Sequence, residues 1–215
     1  MATKTPVRGT IKTPETRAII LRSAEHIFAE RGLAGARIDA IAAAAGVNKA
    51  LIYYYFKSKD ALFLAVIEEH LKEFSRRALA LLSSDEGARD KVLHYVSMHF
   101  DFVATRRDYP RLFQRFMMAR ERRFMQVRQK YFAPVGQKLR SVIEQGIRSG
   151  EFYPSDSTHT VISLVALTVF YFAVAPMLKA AEAIRDPYEK SQLARRKKEV
   201  LNFVRRALFQ NTGSA

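Results

Sequence analysis

Nineteen consecutive residues, Thr160 to Leu178 (TVISLVALTVFYFAVAPML), carry no charge. A helix that is apolar all round needs every side covered, by its own chain, by a second subunit or by lipid. The run just reaches the length of a membrane span, so a membrane-associated helical adaptor using residues 160–178 is one reading. Thr160, Ser163, Thr168 and Pro176 interrupt it, and no second stretch of the chain resembles it. The favoured reading involves no membrane: one face of the helix meets the chain's own core and the other meets a second copy.

The remaining periodicity is helical. Apolar residues recur every three to four positions, and no segment alternates like a half-buried strand. Proline is rare and reads as falling between periodic segments. The class is therefore all-α. Thr13 and Pro14 open a first helix, with Ile20, Ala24, Ile27 and Phe28 on one face and Gly32 at its end. A short helix over 39–45 ends at Gly46, whose freedom at positive φ suits a tight exit. Asn48 caps a third helix to about Phe56, and Ser58 caps a fourth towards residue 80. Longer helices are expected over 86–105, 109–123, 124–149, 156–183 and 187–209.

Thirty-six basic residues against 21 acidic ones leave a net charge of +15. That balance favours polyanions, either nucleic acid or an anionic membrane surface. Residues 1–60 hold 10 basic and 5 acidic side chains, and residues 106–148 hold 12 and 3. The chain has two basic regions that need not share a job. The absence of cysteine removes disulfides, thiolate metal sites and thiol catalysis, and fits a reducing cytoplasm. The opening residues MATKTPVRGTIKTP have no apolar run and do not read as a secretory signal. His26, His70, His94, His99 and His159 form no metal-spaced pair, and no hydrolase or P-loop pattern is present. No enzyme activity, cofactor or metal is expected.

A helix, a short glycine turn and a second short helix form the helix-turn-helix pattern. The run from Thr16 to Leu62, TRAIILRSAEHIFAERGLAGARIDAIAAAAGVNKALIYYYFKSKDAL, carries it. This run resembles the DNA-binding domain of the TetR family of bacterial repressors. The matching positions are Arg17, Ala24, Phe28, Gly32, Ile41-Ala42, Ala45-Gly46-Val47, Leu51-Ile52-Tyr53, Phe56, Lys59 and Leu62. The 150 or so residues after Leu62 match only in being helical. The resemblance implies a cytoplasmic, nucleoid-associated regulator, a repressor that binds a palindromic operator as a homodimer. It would be released by a small, largely hydrophobic effector, an acidic one included. The expected organisation is a flexible basic arm (1–12), a helix-turn-helix domain (13–60), a ligand-binding and dimerisation domain (61–210) and a tail (211–215). A nonspecific architectural DNA binder is the other DNA-binding reading.

Val47, Ile52 and Phe56 keep a spacing that can face the core, which leaves Lys49, Ala50, Tyr53 and Tyr54 outward. Lys49 can donate to guanine O6 or N7, and Ala50 allows close approach or meets a thymine methyl. The hydroxyls of Tyr53 and Tyr54 can bond phosphate oxygens. The family resemblance adds Tyr55 and Lys59 to the phosphate contacts and places Lys49 and Ala50 near bases. Lys59 also stands in a first helical turn, against the macrodipole, which points to an external anion. Where the family usually has Thr-Thr, this chain has Ala36-Arg37, so Arg37 could replace a hydroxyl contact. Leu51 replaces the usual small or hydroxyl residue and leaves the base preference open. With Asn48 at the cap, these residues make up the expected DNA surface. In the arm, Lys4, Arg8 and Lys12 could follow the minor groove, although a solvated tail is the plainer reading.

In the family the last two long helices form a four-helix dimer interface. Here that implies Val165, Phe172, Leu193, Val200, Val204 and Leu208 at the contact. For the second basic region the plain reading is a solvated face. The sharper one uses the alternation of Phe113, Phe116 and Met117 with Arg115 and Arg120, which could point arginines into an apolar cavity. Such a cavity suits an amphipathic anion held bidentately. His99, Phe102 and Phe170 are further candidates for its lining.

Overall fold

The local signals for helix ends act as the sequence predicts. In this computed structural model, which describes residues 13–210, α1 (Pro14–Gly35) opens with Thr13 Oγ1 accepting from the Thr16 N–H. Its path breaks at Gly32, where φ is 72° and ψ 177°, and resumes for a short stretch to Gly35. Helix α2 (Ile38–Ala45) ends at left-handed Gly46, and α3 (Lys49–Phe56) starts with Asn48 Oδ1 accepting from Leu51 N–H at 2.8 Å. Ser58 caps α4 (Lys59–Leu82) in the same manner. The arm carrying Lys4, Arg8 and Lys12 and the tail 211–215 lie outside the described residues.

Five more helices follow: α5 (Ala88–Ala104), α6 (Tyr109–Met118), α7 (Arg122–Arg148), α8 (Ser157–Ala180) and α9 (Lys190–Leu208). The described residues contain no strand, only an isolated antiparallel bridge between Phe152 and Phe209. Two details differ from the sequence reading. The break expected after residue 123 comes earlier, at Ala119–Glu121, so Arg122 and Arg123 open α7. Pro134 and Pro176 lie inside α7 and α8 and not between helices. Each lacks the N–H that the ladder would use, and a long helix tolerates one such loss where packing holds it.

The apolar side chains collect in two cores. The first joins Ile20, Phe28, Ile41, Ile52, Phe56, Leu62, Phe63 and Ile67 with Leu112, Phe116 and Phe124 from α6 and α7. The second gathers Phe74, Val92, Tyr95, Phe100, Leu139, Phe172, Val200 and Val204, among others. Helix α4 feeds both: Leu62 to Leu71 go to the first, and Phe74, Ala78 and Leu82 to the second. At 24 residues it is about 36 Å long. No break in packing falls between residues 60 and 61, and α6 and the start of α7 belong in part to the helix-turn-helix core.

Helix α8 is covered by its own chain on one face only. Leu164, Thr168, Tyr171, Phe172 and Ala175 face inward, while Ile162 (58% exposed), Phe170 (64%) and Met177 (61%) face out, as does Phe203 of α9 (58%). This removes four of the six residues that the sequence assigned to the interface. Phe172, Val200, Val204 and Leu208 are buried in the protomer's own core, and Leu193 packs against that core. Val165 is only half-buried. The physical reason is that α8 has no polar side to phase it. In α9 the apolar stripe is the inner face of an amphipathic helix.

Candidate nucleic-acid interface

Helices α2 and α3 with the Gly46 turn form the helix-turn-helix unit. Ile41, Ala42, Ile52 and Phe56 hold it to α1 and α4. Outward from α3 stand Lys49, Ala50, Tyr53 and Tyr54, all exposed. These are positions i, i+1, i+4 and i+5, one contiguous patch on the helix surface. Leu51 does not join them. Only 7% exposed, it faces inward beside Ile52 and cannot reach a base edge, contrary to the sequence expectation.

The ion pairs on this surface are its own. Lys49 Nζ lies 3.1 Å from Asp39 Oδ1, and Arg37 Nη2 lies 4.0 Å from the same carboxylate. Asn48 spends its side-chain oxygen on the α3 cap. Tyr55 is half-buried and its hydroxyl donates to the Thr13 carbonyl at 3.1 Å, so it braces α3 against the start of α1. Lys59 donates to the carbonyls of Ala34 (3.2 Å) and Ala36 (3.1 Å) in the α1–α2 turn. Those carbonyls supply the negative partner that the helix dipole argument looked for outside. The ammonium has three donors, so a further one is left for a phosphate.

Part of the second basic region is built into the fold. Arg106 pairs with Glu73 at 2.7 Å and stacks 3.9 Å over Phe102. Arg115 donates to the Phe28 carbonyl at 2.6 Å, just ahead of the Gly32 break. Arg123 pairs with Asp60, and Arg128 donates to the carbonyls of Phe116 (2.7 Å) and Ala119 (2.9 Å). The expected pocket residues do not converge. His99 and Phe102 sit in the second core, Phe116 in the first, and Phe113 packs against both. Met117 and Arg120 are exposed, and Phe170 is on the outer face of α8.

Sequence reasoning missed Thr168 as the partner of His99. Its hydroxyl donates to the Val165 carbonyl at 2.8 Å and lies 2.9 Å from His99 Nδ1. With that proton committed, the oxygen accepts from Nδ1–H. The rings of Phe74 and Tyr95 stand 4.8 and 5.8 Å from the imidazole. Burial without a counter-charge pushes the His99 pKa down from 6.5 to about 4. The signal was present: a threonine interrupting an apolar run marks where a buried polar group needs a partner.

Comparison with known proteins agrees with this arrangement. Residues 20–66 match the family described as "Bacterial regulatory proteins, tetR family", and residues 89–204 match "Tetracyclin repressor-like, C-terminal domain". The chain is 40% identical over 89 residues to the transcriptional repressor SCO4008 of Streptomyces coelicolor. That stretch is 41% of this chain and 46% of the repressor, less than half of either. Similarity to the transcriptional regulator RutR of Escherichia coli is broader, 28% over 184 residues, or 80% of this chain and 85% of RutR. The ketosteroid regulator KstR2 of Mycobacterium tuberculosis shares the fold, with a TM-score of 0.76 at 19% identity. That match covers 96% of this chain and all of KstR2.

Proposed function

The chain belongs to the TetR family of bacterial transcriptional regulators, and from that premise we propose that it is a cytoplasmic repressor acting as a homodimer on a pseudo-palindromic operator. The observation that carries this reading is the outward patch of α3. Lys49 and Ala50 stand at its N-terminal end, suited to base edges, and Tyr53 and Tyr54 stand one turn further along, where their hydroxyls would meet flanking phosphates. The second subunit is proposed to cover Ile162, Phe170, Met177 and Phe203, which together leave a large apolar face exposed on one protomer.

The effector is proposed to be small and largely apolar, and to enter the second core beside the His99–Thr168 pair. The aromatic shell there offers apolar contact, and the imidazole offers a hydrogen bond. Because α4 belongs to both cores, a ligand that spreads the second core tilts α4. That tilt changes the separation of the two α3 helices, and operator and effector then weaken each other reciprocally.

Selection of bound sequences from random duplex DNA tests the central reading. A palindrome with half-sites about one helical turn (10 bp) apart, or a multiple of it, is expected. A recovered pool without sequence preference would instead fit an architectural binder. Salt-resistant partition of the intact protein into membranes would assign the outer face of α8 to lipid.

A further inference from the structure

The second basic region leaves several arginines without a partner among the described residues, and two of them, Arg120 and Arg122, stand together at one corner. Arg106, Arg115, Arg123 and Arg128 are each held by a carboxylate or a backbone carbonyl of the protein. Arg107 lies 5.9 Å from the centre of the Tyr188 ring. Arg120 and Arg122 are exposed, and among the described residues neither has an ion pair or a side-chain hydrogen bond. They sit at the corner between α6 and α7, with Glu121 as the acid between them. Arg122 also stands in the first turn of α7, where the helix dipole repels a cation and no acidic residue shares the turn.

The position of this corner is fixed by the DNA-reading end of the molecule. Phe124, fully buried, packs with its ring centre 6.0 Å from those of Phe63 and Phe116, inside the helix-turn-helix core. Phe63 is four residues along α4 from Lys59, about 6 Å. Arg123 is held by Asp60, the residue next to Lys59. Lys59 in turn is seated on the α1–α2 turn, which leads directly into Arg37. The corner therefore moves as one piece with the unit that presents α3, and a side chain as long as arginine extends the same basic edge.

We propose that Arg120 and Arg122 contact phosphates of the operator duplex and enlarge the DNA footprint of each subunit beyond the helix-turn-helix unit. The chemistry fits: two unpaired guanidinium groups offer forked donors to phosphate oxygens, beside Arg123, which Asp60 ties to the start of α4 next to Lys59. The inference rests on the operator-binding reading above and adds a contact that the reading does not need. Anionic lipid would satisfy the same charges, but a membrane bound there would compete with the duplex for one edge of the protein.

The test is the salt dependence of binding to the selected duplex, carrying about one extra helical turn (10 bp) on each side. Each phosphate contact contributes about 0.9 to the log–log slope. The full-length double variant Arg120→Ala/Arg122→Ala should lose up to about 3.6 from the slope of the dimer, two contacts per subunit, with an unchanged thermal midpoint. The control is Arg140→Ala/Arg148→Ala, which removes equal charge farther along the same helix; Arg148 lies about 39 Å from Arg122. Its slope should stay near that of the wild type. Equal slopes for the Arg120/Arg122 variant and the wild type overturn the proposal, as does an equal loss in the control, which would be a net-charge effect. Co-sedimentation of wild type but not the variant with phosphatidylserine vesicles, with DNA slopes equal, would overturn it in favour of a lipid surface. If the wild type itself binds no duplex, the operator reading falls as well.

Discussion

Lys49 of α3 and Asp39 of α2 are joined by an ion pair, 3.1 Å from Nζ to Oδ1, on the surface the helix-turn-helix unit turns outward. Both side chains are more than half exposed, so the pair adds little to stability. Its effect is on binding. In the proposed complex Lys49 would leave Asp39 to donate to a base, and the carboxylate would then face the phosphates. Asp39→Asn is expected to tighten duplex binding by roughly 3- to 10-fold, about 1 kcal/mol, with no loss of thermal midpoint. Titration of a labelled duplex at fixed salt measures this, and unchanged or weaker binding would remove Asp39 from the DNA surface.

Gly32 and Arg115 make a second linked pair. Gly32 sits at φ 72°, a region costly for residues with a Cβ, and an added Cβ would lie 2.7 Å from Arg115 Nη1. Gly32→Ala should destabilise the protein by about 1–3 kcal/mol in urea unfolding. Arg115→Ala alone should cost about 1 kcal/mol through the lost bond to the Phe28 carbonyl. In the double variant the clash is gone and the backbone strain stays, so the combined cost should fall below the sum of the two. Strict additivity would show that the guanidinium and the glycine do not meet.

How much of this was legible depended on whether the signal was local. Thr13, Asn48, Gly46 and Ser58 act on backbone groups within three or four residues, and the helix ends they predict are the ones observed. The all-α class and the family followed from the same short-range pattern. The roles of Arg106, Arg115 and Arg123 were not legible, because their partners are Glu73, Phe28 and Asp60, dozens of positions away. Nor was the inner face of α8, whose run has no charged side, so that packing against α5, α6, α7 and α9 selects it. Lys59 is the instructive case. The dipole argument pointed to an external anion, and the fold supplies two carbonyls of its own.

The outer face of α8 gives a direct test of assembly. Phe170 is 64% exposed on one protomer, so replacing it should leave the protomer folded. Phe170→Asp is expected to weaken self-association by about 100-fold or more, since an unpaired carboxylate in an apolar contact costs about 3 kcal/mol or more. Light scattering on a size-exclusion column should find dimer for wild type and monomer for the variant, with affinity for a palindromic duplex reduced. A variant that stays dimeric would place the interface on another surface.

His99 makes stability depend on pH in a defined window. Burial beside Phe74 and Tyr95 holds its folded-state pKa near 4, against an ordinary value of 6.5. Between those values the unfolded chain binds a proton that the folded chain does not, so acid favours unfolding. The stabilisation is fully present above about pH 6.5 and is lost as pH falls towards 4, at up to about 1.4 kcal/mol per unit. In His99→Gln that contribution is absent, while every other titrating group is kept. Urea midpoints measured at pH 7.5 and 5.0 should therefore fall further for wild type than for the variant. Thr168→Val should lower stability at both pH values, by roughly 1–3 kcal/mol, because it strands the Nδ1 donor in the core. If wild type and His99→Gln lose equal stability between the two pH values, the imidazole is not held neutral by the second core. The hydrogen bond proposed for the effector would then rest on Thr168 alone.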